Sequence, residues 1–306
     1  MTMVEILVVV GIIAILVGLL IPAVHTVQRV AKETKQKAQF TAIEMGLAAF
    51  KNDYGDFPPS SWYDPFATGT TTLRTYCGAQ KLAEAMVGWD LLGFHPDSAW
   101  RANGLAVSPT GAAIANTVYF ETDTLKKRKG RYVELDVANP FLLGGGVDAL
   151  FPGTTGDLEP RTYVLCDVFT RSERKIRRVN GTMVAAGTPI LYYKANPASL
   201  LPKPTAWANA ATSGCIYDAR DNAPILDLGW LGDASLPMGS RRKHDLAGSA
   251  RVGMTGFEYF YDYYTRDTHI QDQNRVWPVR PDSYLLISAG MDGIYGTNDD
   301  IRNFGQ

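Results

Sequence analysis

The sequence predicts an α+β protein in which one long N-terminal helix, with a membrane-spanning first half, packs on the antiparallel sheet of a head domain. Three observations indicate this class: an apolar stretch with one charge opens the chain, an amphipathic pattern continues it to Tyr54, and strand-like runs separated by turn residues follow. They divide the chain into a transmembrane half of the helix (1–24), an amphipathic half (25–54) and a head domain (55–306).

The opening stretch, from Met3 to Val24, contains a single charged residue, Glu5. A helix over this stretch is about 33 Å long, enough to cross a hydrocarbon core of about 30 Å. A secretory signal peptide and a buried helix of a soluble protein are the alternatives. The first lacks its basic leader region and its small-residue cleavage site, and the second is rarely so long without a polar residue. The stretch therefore predicts membrane insertion.

Glu5 needs a compensating interaction, because placing a carboxylate in an apolar layer costs a few kcal/mol. Its position in the first helical turn offers one explanation, because the helix dipole favours an anion there. The α-amino group of Met1 in a neighbouring copy offers a second, compatible one. Opposite charges at about 4 Å attract by about 4 kcal/mol at an effective dielectric constant of 20, which is comparable to the cost of insertion.

Two sequence features predict the shape and the packing of the rest of the helix: one proline and one apolar face. Pro22 lacks an amide proton and predicts a kink or a local opening. Apolar residues then recur at spacings of three and four, as in an amphipathic helix that ends near Asp53. They are Phe40, Ile43, Leu47, Phe50 and Tyr54.

Residues Met1 to Val10, followed by Gly11 to Leu16 and Pro22, resemble the N-terminal segment of type IV pilins and type II secretion pseudopilins. The resemblance implies that a prepilin peptidase has removed a basic leader ending in glycine, so that Met1 is the processed and N-methylated first residue. It also implies a precursor held in the inner membrane, whose head is extracytoplasmic although basic residues follow the apolar stretch. Copies of the chain would then be assembled by pilus or secretion machinery.

The family's usual head is a helix laid on a sheet of three or four strands, so the resemblance implies large insertions within residues 60–280. The sequence predicts a helix at Ala79–Leu92 and a hairpin at Arg178–Met183. Strand-like runs are Tyr132–Val137, Arg161–Phe169, Ile190–Lys194, Tyr259–Tyr264 and Ser283–Ser288. The basic runs Lys126–Arg131 and Arg171–Arg178 are interpreted as solvated loops.

An Asp-rich loop at residues 288–301 is the candidate cofactor site. Asp292, Asp299 and Asp300, with the Ser288 hydroxyl, supply the hard oxygen ligands that calcium prefers, on a glycine-rich segment without EF-hand spacing. The alternative is a turn rich in Asp and Asn that binds no metal. The loop resembles the C-terminal calcium loop of type II secretion major pseudopilins, which implies a structural calcium ion that orders the tail.

Other site classes have less support in the sequence. A net charge of −1 gives no reason to expect a nucleic-acid partner. The three cysteines form either one disulfide and a free thiol or three buried thiols. The histidines are scattered and no metalloprotease motif or nucleophile elbow is present, so an enzyme is not expected.

The sequence therefore predicts a structural subunit that forms a filament of its own copies, assembled through Met1, Glu5 and Pro22. The filament is either an extracellular type IV pilus-like fibre or a periplasmic pseudopilus. A minor tip pilin or adhesin that acts as a binding module is the first alternative. A single-pass membrane-anchored enzyme is the second.

Overall fold

The computed structural model describes residues 2–62, 75–107, 113–117, 119, 122–177, 181–204, 214–247, 256–270 and 276–305. The helices are α1 (Met3–Tyr54), α2 (Gly78–Val87), α3 (Leu135–Ala138), α4 (Ala223–Leu226) and α5 (Gly256–Tyr259), with a π-helical segment at Phe260–Tyr264. The strands are β1 (Leu105–Val107), β2 (Ala113–Thr117), β3 (Pro140–Leu142), β4 (Tyr163–Leu165), β5 (Arg171–Arg177), β6 (Met183–Ala186), β7 (Leu191–Lys194), β8 (Tyr284–Ser288) and β9 (Ile301–Arg302). The 3₁₀ segments are Thr122–Lys127, Ala219–Asn222, Leu231–Asp233 and Met238–Ser240.

The strands pair into several small antiparallel sheets instead of one larger sheet. Strand β1 pairs with β2, β3 with β4, and β5 with β6, while β7, β8 and β9 form a three-stranded sheet with β8 in the centre. In that sheet Leu191 lies opposite Ile287 and Lys194 lies opposite Tyr284. The prediction of an α+β protein with one long N-terminal helix and antiparallel strands is confirmed at this level.

Helix α1 runs without interruption from Met3 to Tyr54. It ends at Gly55, which takes a left-handed conformation (φ 85°) and donates its amide to the Lys51 carbonyl, so the predicted end near Asp53 is confirmed. Pro22 stays inside the α-helix, and the Thr26 hydroxyl donates to its carbonyl at 3.0 Å. The helix of a single chain therefore does not open at Pro22, which leaves a bend as the expected effect of the proline.

The second half of α1 packs on the head, as its apolar spacing predicts. Phe40, Ile43, Leu47 and Phe50 are buried in one cluster with residues of α2, β7 and β8. Gly46 lies where α1 comes closest to the head, because a Cβ there would be 2.9 Å from both Met86 and Val133. A helix of alternating exposed and buried residues thus becomes one wall of the core.

Strands β7 and β8 separate two hydrophobic cores. Tyr192 and Leu286 face the cluster that contains α1, whereas Tyr193 and Leu285 face a second cluster that contains residues of α4 and the π-helical segment. Successive side chains of a strand point to opposite faces, so a sheet buried on both faces needs an apolar residue at every position. The predicted strands Ile190–Lys194 and Ser283–Ser288 have this composition, and both are confirmed.

Two strand predictions are wrong. In the run Tyr132–Val137 the chain instead forms the short helix α3 from Leu135, after Glu134 at the N-cap and with Asp136 in the first turn, where acidic residues are favoured. The run Tyr259–Tyr264 is helical, because Phe260, Tyr261 and Tyr264 are buried at helical spacing while Tyr263 is exposed.

The remaining secondary-structure elements predicted for the head are confirmed, but they begin or end at different residues. Helix α2 ends at Val87 instead of Leu92, because Gly88 turns the chain with a φ of 90° against the backbone of Gly93. Only Tyr163–Leu165 of the run Arg161–Phe169 forms a strand. Strands β5 and β6 pair Arg177 with Met183, as in a hairpin, although residues 178–180 lie outside the described residues.

We predicted that the two basic runs are solvated loops, and the structure contradicts this for parts of both runs. The Arg128 side chain is buried, and its Nη1 donates to both carboxylate oxygens of Asp90, at 2.7 and 2.6 Å, while Lys129 pairs with Asp53 at 2.6 Å. The second run forms strand β5, whose Arg174 donates to the carbonyl of Leu150 at 2.9 Å. All three cysteines are buried free thiols, so the second alternative, without a disulfide, is the one observed.

Candidate functional site

The first half of α1 exposes the apolar side chains that the structure describes. Leu7 is 68% exposed, Ile12 53% and Leu16 55%, and none of the described side chains in its most apolar part is buried against the head. Within the described residues this is the one helix that is long and apolar enough to cross a membrane. Removing a side chain of this size from water stabilises the protein by about 1.5 kcal/mol or more. Covering the whole apolar face would therefore contribute about 20 kcal/mol or more.

Glu5 closes the N-terminal end of α1 by a capping box with Thr2. The Thr2 amide donates to Glu5 Oε2 at 2.7 Å, and the Glu5 amide donates to the Thr2 hydroxyl at 3.4 Å. The expected position in the first turn is confirmed. The capping box itself is readable as Thr-x-x-Glu, but the sequence reasoning missed it. Met1 lies outside the described residues, so its pairing with Glu5 stays a prediction.

Two buried glutamines fix the direction in which α1 leaves the head. Gln39 Nε2 donates to the carbonyls of Val137 and Cys166 at 2.8 and 2.9 Å. Gln36 Oε1 accepts the Val168 amide at 2.9 Å. These bonds satisfy backbone groups of the head, and within the described residues no hydrogen bond joins the part of the helix before Gln36 to the head. Sequence reasoning placed Gln36 and Gln39 in a polar portion of the helix and did not identify this role.

The Asp-rich loop brings Asp292 and Asp299 together. Asp299 Oδ2 accepts the Asp292 amide at 2.9 Å, and Asp299 Oδ1 accepts the Thr297 hydroxyl at 2.6 Å. Asp292 Oδ1 accepts the Ile294 amide at 2.7 Å. The chain can turn this tightly because Gly290, at φ 62°, lies where a Cβ would be 2.2 Å from the Asp299 carbonyl.

Asp300 and Ser288 have other partners. Asp300 Oδ2 accepts the Gly296 amide at 2.7 Å and the Tyr264 hydroxyl, while its Oδ1 is buried and has no hydrogen-bond partner among the described residues. The Ser288 hydroxyl donates to the buried carboxyl of Asp167 at 2.9 Å. Of the four predicted ligands, the described contacts therefore join Asp292 with Asp299 and place the other two in separate hydrogen-bond networks.

The electrostatics of the loop favour an added cation. Burial, together with the charge of Asp299, raises the pKa of Asp292. Burial also opposes the ionisation of Asp299, but hydrogen bonds from Thr297 and from the Asp292 amide outweigh it and lower its pKa. Burial raises the pKa of Asp300 to about 7. A cation at these carboxylates would allow all three to ionise, and the unsatisfied oxygen of Asp300 would gain a partner.

Calcium therefore fits the oxygen chemistry of the loop, but the side chains alone do not form a complete site. Within the described ranges, no group of three or more His, Cys, Asp or Glu side chains is arranged to hold a metal ion. Calcium accepts six to eight oxygens, and backbone carbonyls and water would have to supply most of them. The calcium site stays a prediction.

Two residues of the head hold the backbone of this loop. Arg171 Nη2 donates to the Met291 carbonyl at 2.6 Å, and Trp230 Nε1 donates to the Asp292 carbonyl at 3.0 Å. The Arg171 guanidinium also lies 5.4 Å from the centre of the Trp230 ring. Neither residue carries a local sequence signal for this role, because the contacts join segments far apart in the chain.

The charge of the loop acts on one residue of α1. The pKa of Arg29 is raised by its hydrogen bond with Glu33, at 2.8 Å, with a further contribution from the charge of Asp299. Arg29 follows the end of the apolar stretch by about 8 Å along the helix.

Comparison of the chain with protein families, with curated proteins and with solved structures gives no match.

Proposed function

We propose that this protein is the repeating structural subunit of a filament of the type IV pilin class, either an extracellular fibre or a periplasmic pseudopilus. The observation that carries the proposal is the contrast between the two halves of α1. The second half is an integral wall of the head core, whereas the first half exposes an unbroken apolar surface. Such a surface requires a lipid bilayer or other copies of itself.

Lipid and neighbouring helices are equivalent surroundings for this face. Before assembly, the apolar half of α1 anchors the subunit in the inner membrane, with the head on the extracytoplasmic side. Extraction into the filament then exchanges lipid contacts for helix contacts, so that little apolar burial is lost.

Glu5 sets the stagger between subunits in this proposal. Its Oε2 atom serves the capping box, and within the described part of the chain Oε1 has no hydrogen-bond partner. The α-amino group of a neighbour's Met1 is the partner that we propose for it. Pro22 gives the helix a point at which it can open during assembly, and calcium bound through Asp292, Asp299 and Asp300 would stabilise the loop beside α1.

Electron micrographs of material sheared from cell surfaces, combined with mass spectrometry of its protein, test the proposal. We expect fibres that contain this chain, with a methylated Met1. Recovery of the chain only as a membrane-bound monomer, under conditions in which the assembly machinery is present, would refute the filament role.

A further inference from the structure

A groove rich in arginine lies beside the C-terminal strand and borders the acidic loop, because Tyr264 of its lining donates its hydroxyl to Asp300. Its larger cavity, of about 570 Å³, is lined by Tyr263, Arg266, Asp267, Arg280 and Arg302, among others. A second cavity of about 370 Å³ shares two of these arginines and adds side chains of α1. We call the two together the arginine groove. Their combined size suits a short oligosaccharide.

One wall of the groove is an exposed aromatic ring with a fixed orientation. The Tyr263 side chain is 57% exposed, although Phe260, Tyr261 and Tyr264 of the π-helical segment are buried. Its ring stacks on that of Tyr259, with centroids 6.3 Å apart and an interplanar angle of 14°. A ring that presents an apolar face and a hydroxyl can stack on another amphipathic ring of similar size.

The arginines present cationic groups to the same space. Arg302 is held by the rings of Tyr264 and Phe304, at 4.9 and 5.3 Å, and donates to the Tyr264 carbonyl at 3.3 Å. Arg266 is half-buried, and no hydrogen bond or ion pair engages its side chain within the described residues. A guanidinium at the wall of a cavity is suited to bidentate binding of a carboxylate.

Carboxylates within the groove favour a ligand that is rich in hydroxyl groups. Glu44 pairs with Arg280 at 3.0 Å, and Asp267 contacts His269 at 3.0 Å. These carboxylates accept hydrogen bonds from hydroxyl groups, which every ring of an oligosaccharide carries and the phosphodiester backbone of DNA lacks. Lys37, at the α1 edge of the second cavity, lies about 20 Å beyond the apolar stretch, which disfavours lipid headgroups.

From these features we infer that the arginine groove binds an anionic oligosaccharide whose carboxylates are carried on sugar rings, such as a chain of uronic acids. The Tyr263 ring stacks on the face of a sugar. Arg266 and Arg302 bind carboxylates, and the acidic residues accept sugar hydroxyls. This binding function goes beyond the filament role and does not depend on assembly.

Isothermal titration calorimetry of the full chain in detergent micelles tests the inference, with tetragalacturonate as the probe. We expect saturable binding, weakened about tenfold or more by Arg266→Gln, because hydrogen bonds between charged groups are lost. We expect a several-fold loss for Tyr263→Ala, and no change for Lys126→Gln, which removes an exposed charge outside the groove. Both groove variants change residues at the surface of the cavity, and an unchanged circular dichroism melt would show that they fold.

Maltotetraose, a neutral chain of the same length, and a single-stranded oligothymidylate are the comparison ligands. We expect both to bind at least tenfold more weakly than tetragalacturonate. The inference would be overturned by the absence of saturable tetragalacturonate binding at millimolar concentration. Equal or tighter binding of either comparison ligand would also overturn it, as would binding that both groove variants leave unchanged.

Discussion

Replacing Glu5 by glutamine is expected to prevent fibre formation while leaving helix α1 intact. In the capping box, Glu5 Oε2 accepts the Thr2 amide and the Thr2 hydroxyl accepts the Glu5 amide. A glutamine side-chain oxygen can accept the same amide proton, because glutamine serves as well as glutamate at this position of a capping box. Glu5→Gln therefore removes the charge and keeps the cap, whereas Glu5→Ala removes both.

The two roles of Glu5 differ in size. Loss of the cap costs about 0.5–2 kcal/mol of helix stability. Loss of a charge pair at about 4 Å costs about 4 kcal/mol per subunit contact at an effective dielectric constant of 20, or about a thousandfold in the subunit concentration needed for assembly. If the charge pair governs assembly, the glutamine and alanine variants should be almost equally defective.

The assay is the amount of this chain in the sheared fibre fraction, relative to its amount in the membrane fraction. Helix content of the detergent-solubilised subunit, from circular dichroism, is the control, and we expect the glutamine variant to match the original protein. Fibres of Glu5→Gln at the original yield, with a deficit only in Glu5→Ala, would refute the pairing. Glu5 would then act only as a cap.

Further predictions concern the head in the detergent-solubilised full chain. Ile43→Ala should lower the free energy of unfolding by about 2–5 kcal/mol in chemical denaturation, because its fully buried side chain joins α1 to the head core. Calcium at about a hundredfold excess over its dissociation constant should stabilise the head by about 2.7 kcal/mol, and the double substitution Asp292→Asn, Asp299→Asn should abolish the resulting shift in Tm. Burial raises the pKa of both Asp167 and Asp221 to about 7 from an ordinary 3.8. Both carboxyls bind their protons more tightly in the folded state, so their contribution to stability is complete below about pH 4 and is lost as the pH rises through about 7. Asp221→Asn should reduce this loss in a series of thermal melts.

Each of these predictions has a control. Met45→Ala changes an exposed residue of the same helix and should alter stability by less than about 0.5 kcal/mol; a loss equal to that of Ile43→Ala would contradict the packing of α1. Magnesium in place of calcium should give a smaller shift, and an undiminished calcium shift in the double variant would place the ion elsewhere. Stability that rises between pH 5 and pH 8 would show that Asp167 and Asp221 are not buried as described.

Helix α1 could be predicted from the sequence because its signals are local. A spacing of three and four places Ile43 and Leu47 on one face, and the turn residues that follow Tyr54 mark the end of the helix. The capping box of Thr2 and Glu5 is equally local. These signals depend on the chain within a few turns, and the surroundings do not override them.

The head could be predicted only in part, because its contacts join distant segments. Gln39 and Arg171 have the composition of a solvated surface, and only the carbonyls that other segments bring to them show their role. The run Tyr259–Tyr264 fits a strand by its aromatic content, but the way its rings fill the second core makes it helical. In the candidate site, the sequence showed the cluster of acidic residues but not that Asp300 accepts a hydrogen bond from the Tyr264 hydroxyl.

The central claim is that copies of the chain cover the exposed apolar half of α1, and a helical reconstruction of purified fibres by electron cryomicroscopy tests it most directly. We expect residues 3–24 of every subunit in the fibre core, with the Glu5 carboxylate about 4 Å from the α-amino group of a neighbour's Met1. Fibres in which this segment lies on the outer surface, or in which it packs only within its own subunit, would contradict the claim.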